Sequence, residues 1–228
     1  MEIGFDIISD LHLNPDDSFN WENKATSLYC LIAGNVSAHH RTLLLTLTHL
    51  SKFYHGVFFI PGPFDVKDKD YDTYCNLLNT ATQQINNVSI LYHNVIVLNG
   101  IGIIGVNGWI GDIFDYEDSK AGELAVNDLL YLKETIVKLT RHLDVKKIII
   151  ISSTIPNKAM YFGQEPDIVN HQLPLQTALS YDSQFKVTNW IFGNSNKNVD
   201  THVEGVHYIS NPYLKRRPYY AKRIDVSI

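Results

Sequence analysis

Apolar residues recur with helical spacing in three segments of the chain and form short continuous runs between them. The clearest helical stripe predicts a core-facing helix over residues 119–142. Its members are Leu129, Leu132, Ile136, Leu139 and Leu143. Amphipathic patterns also predict helices over residues 41–54 and 71–85. The main apolar runs, which predict strands, are residues 57–60, 95–98, 101–106, 147–151 and 189–192. Strands that alternate with helices predict an α/β fold.

Composition favours one globular domain. The 228 residues are 45% hydrophobic and 19% charged, which is ordinary for a folded protein and excludes disorder for most of the chain. This length fits a single α/β domain over residues 1–228, and neither internal repeats nor low-complexity segments divide it. A net charge of −5 argues against a general nucleic-acid binder.

The sequence predicts a cytoplasmic protein without a membrane span. No basic leader or apolar signal core precedes the first strand, and no run reaches the roughly 18 apolar residues that cross a bilayer. Cys30 and Cys75 fit a reducing compartment and form no zinc-binding pattern.

Polar motifs follow the apolar strands at several points. In chain order they are Asp10-Leu11-His12, Gly34-Asn35, Gly62-Pro63-Phe64-Asp65, Ser153 three residues before Pro156, and Gly193-Asn194-Ser195-Asn196. Their order and their placement after strands resemble the calcineurin-like metallophosphoesterases over nearly the whole chain. The resemblance implies two facing mixed β-sheets flanked by helices, and a centre that binds two divalent metals.

The resemblance assigns metal ligands to seven positions of this chain: Asp10, His12, Asn35, Pro63, Ser153, Asn194 and Asn196. Only the first two keep ligating side chains. Asn35 removes the charge of the family's bridging carboxylate, and Pro63 has no side-chain donor. A serine hydroxyl is too weak a donor to replace the imidazole expected at position 153. The second metal therefore loses every strong ligand.

Asp10 and His12 are two residues apart, so a continuing strand would place them on one face. They could then hold a single metal loosely, with water completing the shell. Two protein ligands rarely suffice for tight binding. We therefore expect no cofactor, or at most one weakly bound manganese or other divalent ion.

Phe64 stands where the family's histidine protonates the leaving group, and phenylalanine carries no proton. Asp65, which would orient that histidine, is kept and is predicted to serve as a turn or helix-cap residue. These positions together predict no catalytic residue and a vestigial site at Asn35, Pro63, Phe64, Asp65, Ser153, Asn194 and Asn196.

Each of these residues also has an ordinary structural explanation. Asp10 alone is more often a strand-end cap than a ligand, and a lone histidine such as His12 is more often a hydrogen-bonded structural residue. Asn and Ser are favoured in turns. Amides and hydroxyls can also satisfy one another in a metal-free pocket without leaving a buried charge.

Two loops and one basic stretch are candidate contact surfaces. Residues 107–118 contain Trp109, Phe114 and Tyr116 among acidic residues, and residues 157–173 form the second loop beside the site. An aromatic loop suits a protein interface, although packing of its rings over the sheet is an equal alternative. Residues 213–223 interleave cations with tyrosines, as phosphate-binding surfaces do, but a solvated last strand is the favoured explanation.

The sequence therefore predicts a catalytically degenerate member of the fold that acts as a protein-interaction scaffold or binding module. One alternative is a pocket that binds a nucleotide or another phosphate-containing ligand without cleaving it. Another is a residual metal-dependent phosphodiesterase or phosphatase that uses Asp10 and His12. Because the proton donor and most of the implied metal ligands are missing, the sequence favours a protein that is not an enzyme.

Overall fold

The computed structural model describes residues 1–17, 19–67, 69–108, 120–157, 160, 175–195, 197–213 and 218–228. The first of its two sheets has five strands in the order β11-β1-β2-β3-β4. The strands are β1 Glu2–Ser9, β2 Tyr29–Ala33, β3 Gly56–Ile60, β4 Val88–Ile90 and β11 Lys222–Ser227. β11 pairs antiparallel with β1, and the other neighbours are parallel.

The second sheet has six strands in the order β5-β6-β7-β8-β10-β9. They are β5 Asn94–Leu98, β6 Ile101–Val106, β7 Lys147–Ser152, β8 Val187–Phe192, β9 Val199–Val203 and β10 Val206–Ser210. The central pairs are parallel, and antiparallel pairs lie at both edges. Both sheets are therefore mixed, as the resemblance implied.

Helices cover the outer faces of the two sheets. They are α1 His40–Ser51, α2 Pro63–Val66, α3 Tyr71–Thr82 and α4 Lys120–Arg141, together with a 3-10 helix over Leu175–Tyr181. Leu43 and Leu47 of α1 pack in one cluster with Ile32 of the first sheet. Leu132 and Ile136 of α4 pack with the second sheet.

Strand β7 shows how the layers are built. Ile148 and Ile150 belong to the cluster beneath α4, whereas Ile149 and Ile151 belong to the cluster between the sheets. Alternate side chains of a strand point to opposite faces, so a strand covered on both faces is apolar throughout. This is why residues 147–151 read as a continuous apolar run.

All three predicted helices are confirmed, although two end three residues early, at Ser51 and Thr82. The prediction that Leu143 faces the core is wrong, because α4 ends at Arg141 and Leu143 is 84% exposed. A periodic pattern gives no account of the residue at which a helix stops.

The carboxyl ends of β1, β2 and β3 lie at one edge of the first sheet, and those of β6, β7 and β8 lie at one edge of the second. A hydrogen bond joins the two edges: the side-chain amide of Asn107, after β6, donates to the carbonyl of Pro61, after β3, at 2.7 Å. The predicted motifs therefore gather where the two sheets meet.

Candidate functional site

The loops that follow β1 and β2 run side by side at the start of the site. Asp10 N–H donates to the Gly34 carbonyl at 3.1 Å, and His12 N–H donates to the Asn35 carbonyl at 2.9 Å. Gly34 has a φ of +71°, and a Cβ on it would lie 2.7 Å from the Cβ of Ser153. Only glycine tolerates both the left-handed backbone and this approach of the second sheet.

Asn35 links two neighbouring loops through its side-chain amide. Its Nδ2 donates to Asp10 Oδ1 at 2.9 Å, and its Oδ1 accepts from Phe64 N–H at 3.0 Å. The carboxylate needs a donor and the backbone N–H needs an acceptor, so these partners fix the orientation of the amide. Asn35 is only 1% exposed, so both bonds are shielded from water.

Asp10 is buried and accepts a second bond on the same oxygen, from Asn194 N–H at 2.8 Å. Among the described residues, its Oδ2 has no hydrogen-bond partner. Burial raises the pKa of the Asp10 carboxyl to about 6, and the bonds from Asn35 and Asn194 oppose that rise. The carboxyl therefore ties the loop after β8 to the loop after β1.

His12 does not share a strand face with Asp10, so that prediction is wrong. β1 ends at Ser9, and both residues lie beyond it in left-handed backbone, with φ values of +52° for Asp10 and +46° for His12. The alternation of a strand does not apply to such a turn. His12 is exposed, and its ring meets Phe64 edge-on with 4.6 Å between centroids.

Asp65 is fully buried and caps the start of α2, as predicted. It accepts from the backbone N–H groups of Gly62 at 2.7 Å, Asn35 at 2.8 Å and Ser37 at 2.8 Å. Burial raises the pKa of its carboxyl to about 7 against the effect of these donors. Pro63 occupies the first turn of α2 beside it, where a missing N–H costs no helical bond.

Ser153 and Asn194 are placed at the site by the second sheet. The hydroxyl of the fully buried Ser153 donates to the Asn107 carbonyl at 2.9 Å, so its proton is already engaged. Asn194, in left-handed backbone with φ +56°, reaches Asp10 through its backbone N–H. Asn196 lies outside the described residues.

The donor set does not fit a centre of two divalent metals. Asn35 presents an NH₂ group to Asp10, and an amide nitrogen does not ligate a cation. Pro63 and Phe64 offer no side-chain donor, and the Ser153 hydroxyl is committed to a carbonyl. Within the described ranges, no three His, Cys, Asp or Glu side chains form a group that could hold a metal ion.

Sequence patterns placed Asn107 only at the start of a candidate contact loop and gave no indication of the polar cluster beside it. Asn107 Nδ2 also contacts Tyr71 Oη at 3.0 Å, and Gly108 N–H donates to Asp128 at 2.6 Å. The other oxygen of Asp128 lies 2.6 Å from His93 Nε2. Tyr92 and Tyr131 both stack on the His93 ring, at 4.3 and 4.5 Å between centroids. No local motif marks these residues, because contacts between distant segments bring them together.

Residues 109–118 of the aromatic loop and most of residues 157–173 lie outside the described residues, and so do residues 214–217 of the basic stretch. The end of that stretch belongs to β11, where exposed Arg223 pairs with Asp225 at 2.7 Å. This part fits the favoured explanation of a solvated last strand. No helix in the described part of the chain has both the length and the apolar composition needed to cross a membrane.

No protein-family model matches the sequence, and no curated protein matches it. Solved structures do match by shape. Phosphopantetheinyl hydrolase from Mycobacterium tuberculosis aligns with a TM-score of 0.72 and 13% identity, covering 96% of this chain and 95% of that one.

Two further structures share the fold. A putative 5′-nucleotidase from Staphylococcus aureus aligns with a TM-score of 0.59 and 13% identity, over 100% of this chain and 51% of that one. GAP50, the anchor in the inner membrane complex of Plasmodium, aligns with a TM-score of 0.56 and 13% identity, over 92% of this chain and 71% of that one. The chain has the calcineurin-like phosphoesterase fold, and identities this low establish the fold alone.

Proposed function

We propose that this chain is a catalytically degenerate phosphoesterase-fold protein that acts as a protein-interaction scaffold or binding module. The observation that carries the proposal is the bridge from Asp10 through the Asn35 amide to Phe64 N–H. Asn35 stands where the family resemblance implies a metal-bridging carboxylate. Asp10 stands at an implied ligand position, and Phe64 stands where the resemblance implies the proton donor. The Asn35 amide, the Asp65 carboxylate and the Ser153 hydroxyl all bond within the protein. Asp10 Oδ2 is the site's one described carboxylate oxygen without a partner, which is too little to complete a centre of two metals.

The loss of chemistry follows from the side chains present. Phosphoester cleavage by this family needs a proton donor for the leaving oxygen, and Phe64 supplies none. A dication pair needs anionic oxygen or imidazole nitrogen, and Asp10 is the one buried carboxylate beside Asn35 whose second oxygen has no described partner. Asp65, the other buried carboxylate, is committed to three backbone donors.

The fold itself suits a binding role. Asp10, Asn35 and Ser153 are all buried, and the Phe64 ring packs against His12 at the site's surface. One protein with this fold, GAP50, is described as an anchor in a membrane complex. Burial of these polar groups, on a fold that can serve as an anchor, supports recognition by surface contacts.

The alternatives have less support. A phosphate ligand needs free donors, but the Asn35 amide and the Ser153 hydroxyl already donate within the protein. A single-metal hydrolase needs convergent ligands, and Asp10 is buried while His12 is exposed beyond the strand. Phosphopantetheinyl hydrolase has the same fold, so hydrolysis is the alternative that the test must address.

The test combines hydrolysis with binding. Purified chain is assayed against an activated phosphodiester with manganese, beside Asp10→Ala, and partners captured from extract are identified and titrated. We expect no turnover above the variant, and saturable binding of a captured protein that survives both EDTA and Asp10→Ala. Manganese-dependent turnover that vanishes in Asp10→Ala would contradict the proposal, because a contaminating hydrolase would survive the substitution.

A further inference from the structure

The Asn35 amide has a demanding set of partners. At one end it must donate to Asp10 Oδ1, and at the other it must accept from Phe64 N–H. Asp10 Oδ1 accepts from Asn194 N–H as well, so the same short chain of bonds reaches the second sheet. One buried amide therefore ties together the ends of β1 and β3 and, through Asp10, the end of β8.

The backbone narrows the choice of residue at position 35. Asn35 has a φ of +57°, a left-handed conformation that Asn and Asp adopt more readily than other side chains. Aspartate would keep the acceptor for Phe64 N–H but would lose the donor to Asp10. Its second oxygen would then face Asp10 Oδ1 across the 2.9 Å now spanned by a hydrogen bond. Two buried carboxylates at that separation repel each other.

We propose that Asn35 replaces a metal bridge with a neutral hydrogen-bonded bridge, which locks the strand ends of the site and makes the folded chain independent of divalent cations. The donor pattern supports this, because an NH₂ group stands where a cation would have to contact both side chains. The inference rests on the proposed function in one respect, namely that the site holds no pair of metals.

The test is a double-mutant cycle in metal-free buffer, with unfolding followed by calorimetry. Asn35→Asp is matched by Asn99→Asp, because Asn99 is exposed and also has a left-handed backbone, with φ +47°. We expect Asn35→Asp to lower the melting temperature by roughly 5 °C or more and Asn99→Asp to have little effect. In an Asp10→Asn background the loss should fall to about half or less, since the like charge is gone.

Three results would overturn the bridge. One is a loss for Asn35→Asp no larger than that for Asn99→Asp. Another is an equal loss in both backgrounds, which would show that positions 10 and 35 are not coupled. The third is a wild-type melting temperature that falls in EDTA relative to manganese-supplemented protein.

If Asn35→Asp does not fold, the Asp10→Asn/Asn35→Asp protein supplies the decisive result. Folding of this double variant supports the bridge, and its failure to fold contradicts it. Failure of the bridge is distinguishable from failure of the proposed function, because turnover by the wild type and partner binding are measured separately. An uncoupled Asn35 in a chain without turnover would leave the scaffold proposal standing.

Discussion

Removing the Asp65 carboxylate should destabilise the chain strongly. Asp65→Ala strips the acceptor from the N–H groups of Gly62, Asn35 and Ser37 in a fully buried position. A buried donor left without a partner costs about 1 kcal/mol at the low end, so three such donors give about 3 kcal/mol. At this chain length the melting temperature should fall by roughly 6 to 12 °C.

Differential scanning calorimetry of the wild type and Asp65→Ala measures this loss directly. Asp16→Ala is the matched control, because Asp16 is exposed and its removal should shift the melting temperature by no more than about 2 °C. If Asp65→Ala lost no more than this control, Asp65 would not be the cap that holds the turn between β3 and α2. The interpretation that Asp65 serves as a structural cap would then have to be abandoned.

Three further outcomes follow from the structure. Burial raises the pKa of the Asp10 carboxyl from 3.8 to about 6, so the folded chain binds the proton more tightly than the unfolded chain. Stability from this group should fall, by on the order of 3 kcal/mol, as pH rises from about 4 to about 6, and Asp10→Asn should flatten that part of the urea-unfolding profile. His93→Ala should lower the free energy of unfolding by about 2 kcal/mol in urea titrations, because buried Asp128 loses its imidazole partner. Gly193→Ala should prevent recovery of folded protein in a solubility assay, since a Cβ would collide with the carbonyl oxygen of Ala33.

Much of the fold could be predicted from sequence because its signals are local. The stripe that includes Leu132 and Ile136 gave α4, and the apolar run at residues 147–151 gave β7. β11 was located less well: the sequence favoured a solvated last strand over residues 213–223, whereas β11 is Lys222–Ser227, where buried Ile224 and Val226 alternate with charged residues. Pairing with β1, more than 200 residues away, is what defines it as a strand.

The site was partly predictable for the same reason. The family resemblance placed Asp10, Asn35 and Asp65 in one site, and the structure shows that each follows a strand of the first sheet. The direction of the Asn35 amide and the exposure of His12 depend on loop geometry, which strand alternation cannot give beyond the end of β1. Sequence could therefore say which side chains stand at the positions that the resemblance marks, but not how these side chains bond to one another.

Manganese titration of metal-stripped protein by calorimetry, with Asp10→Ala as the control, tests the central claim most directly. Because the Asn35 amide, the Asp65 carboxylate and the Ser153 hydroxyl bond within the protein, we expect no saturable heat that the control lacks. Tight, stoichiometric binding that disappears in Asp10→Ala would contradict the claim, because the Asp10 carboxyl would then be a metal ligand in a working centre.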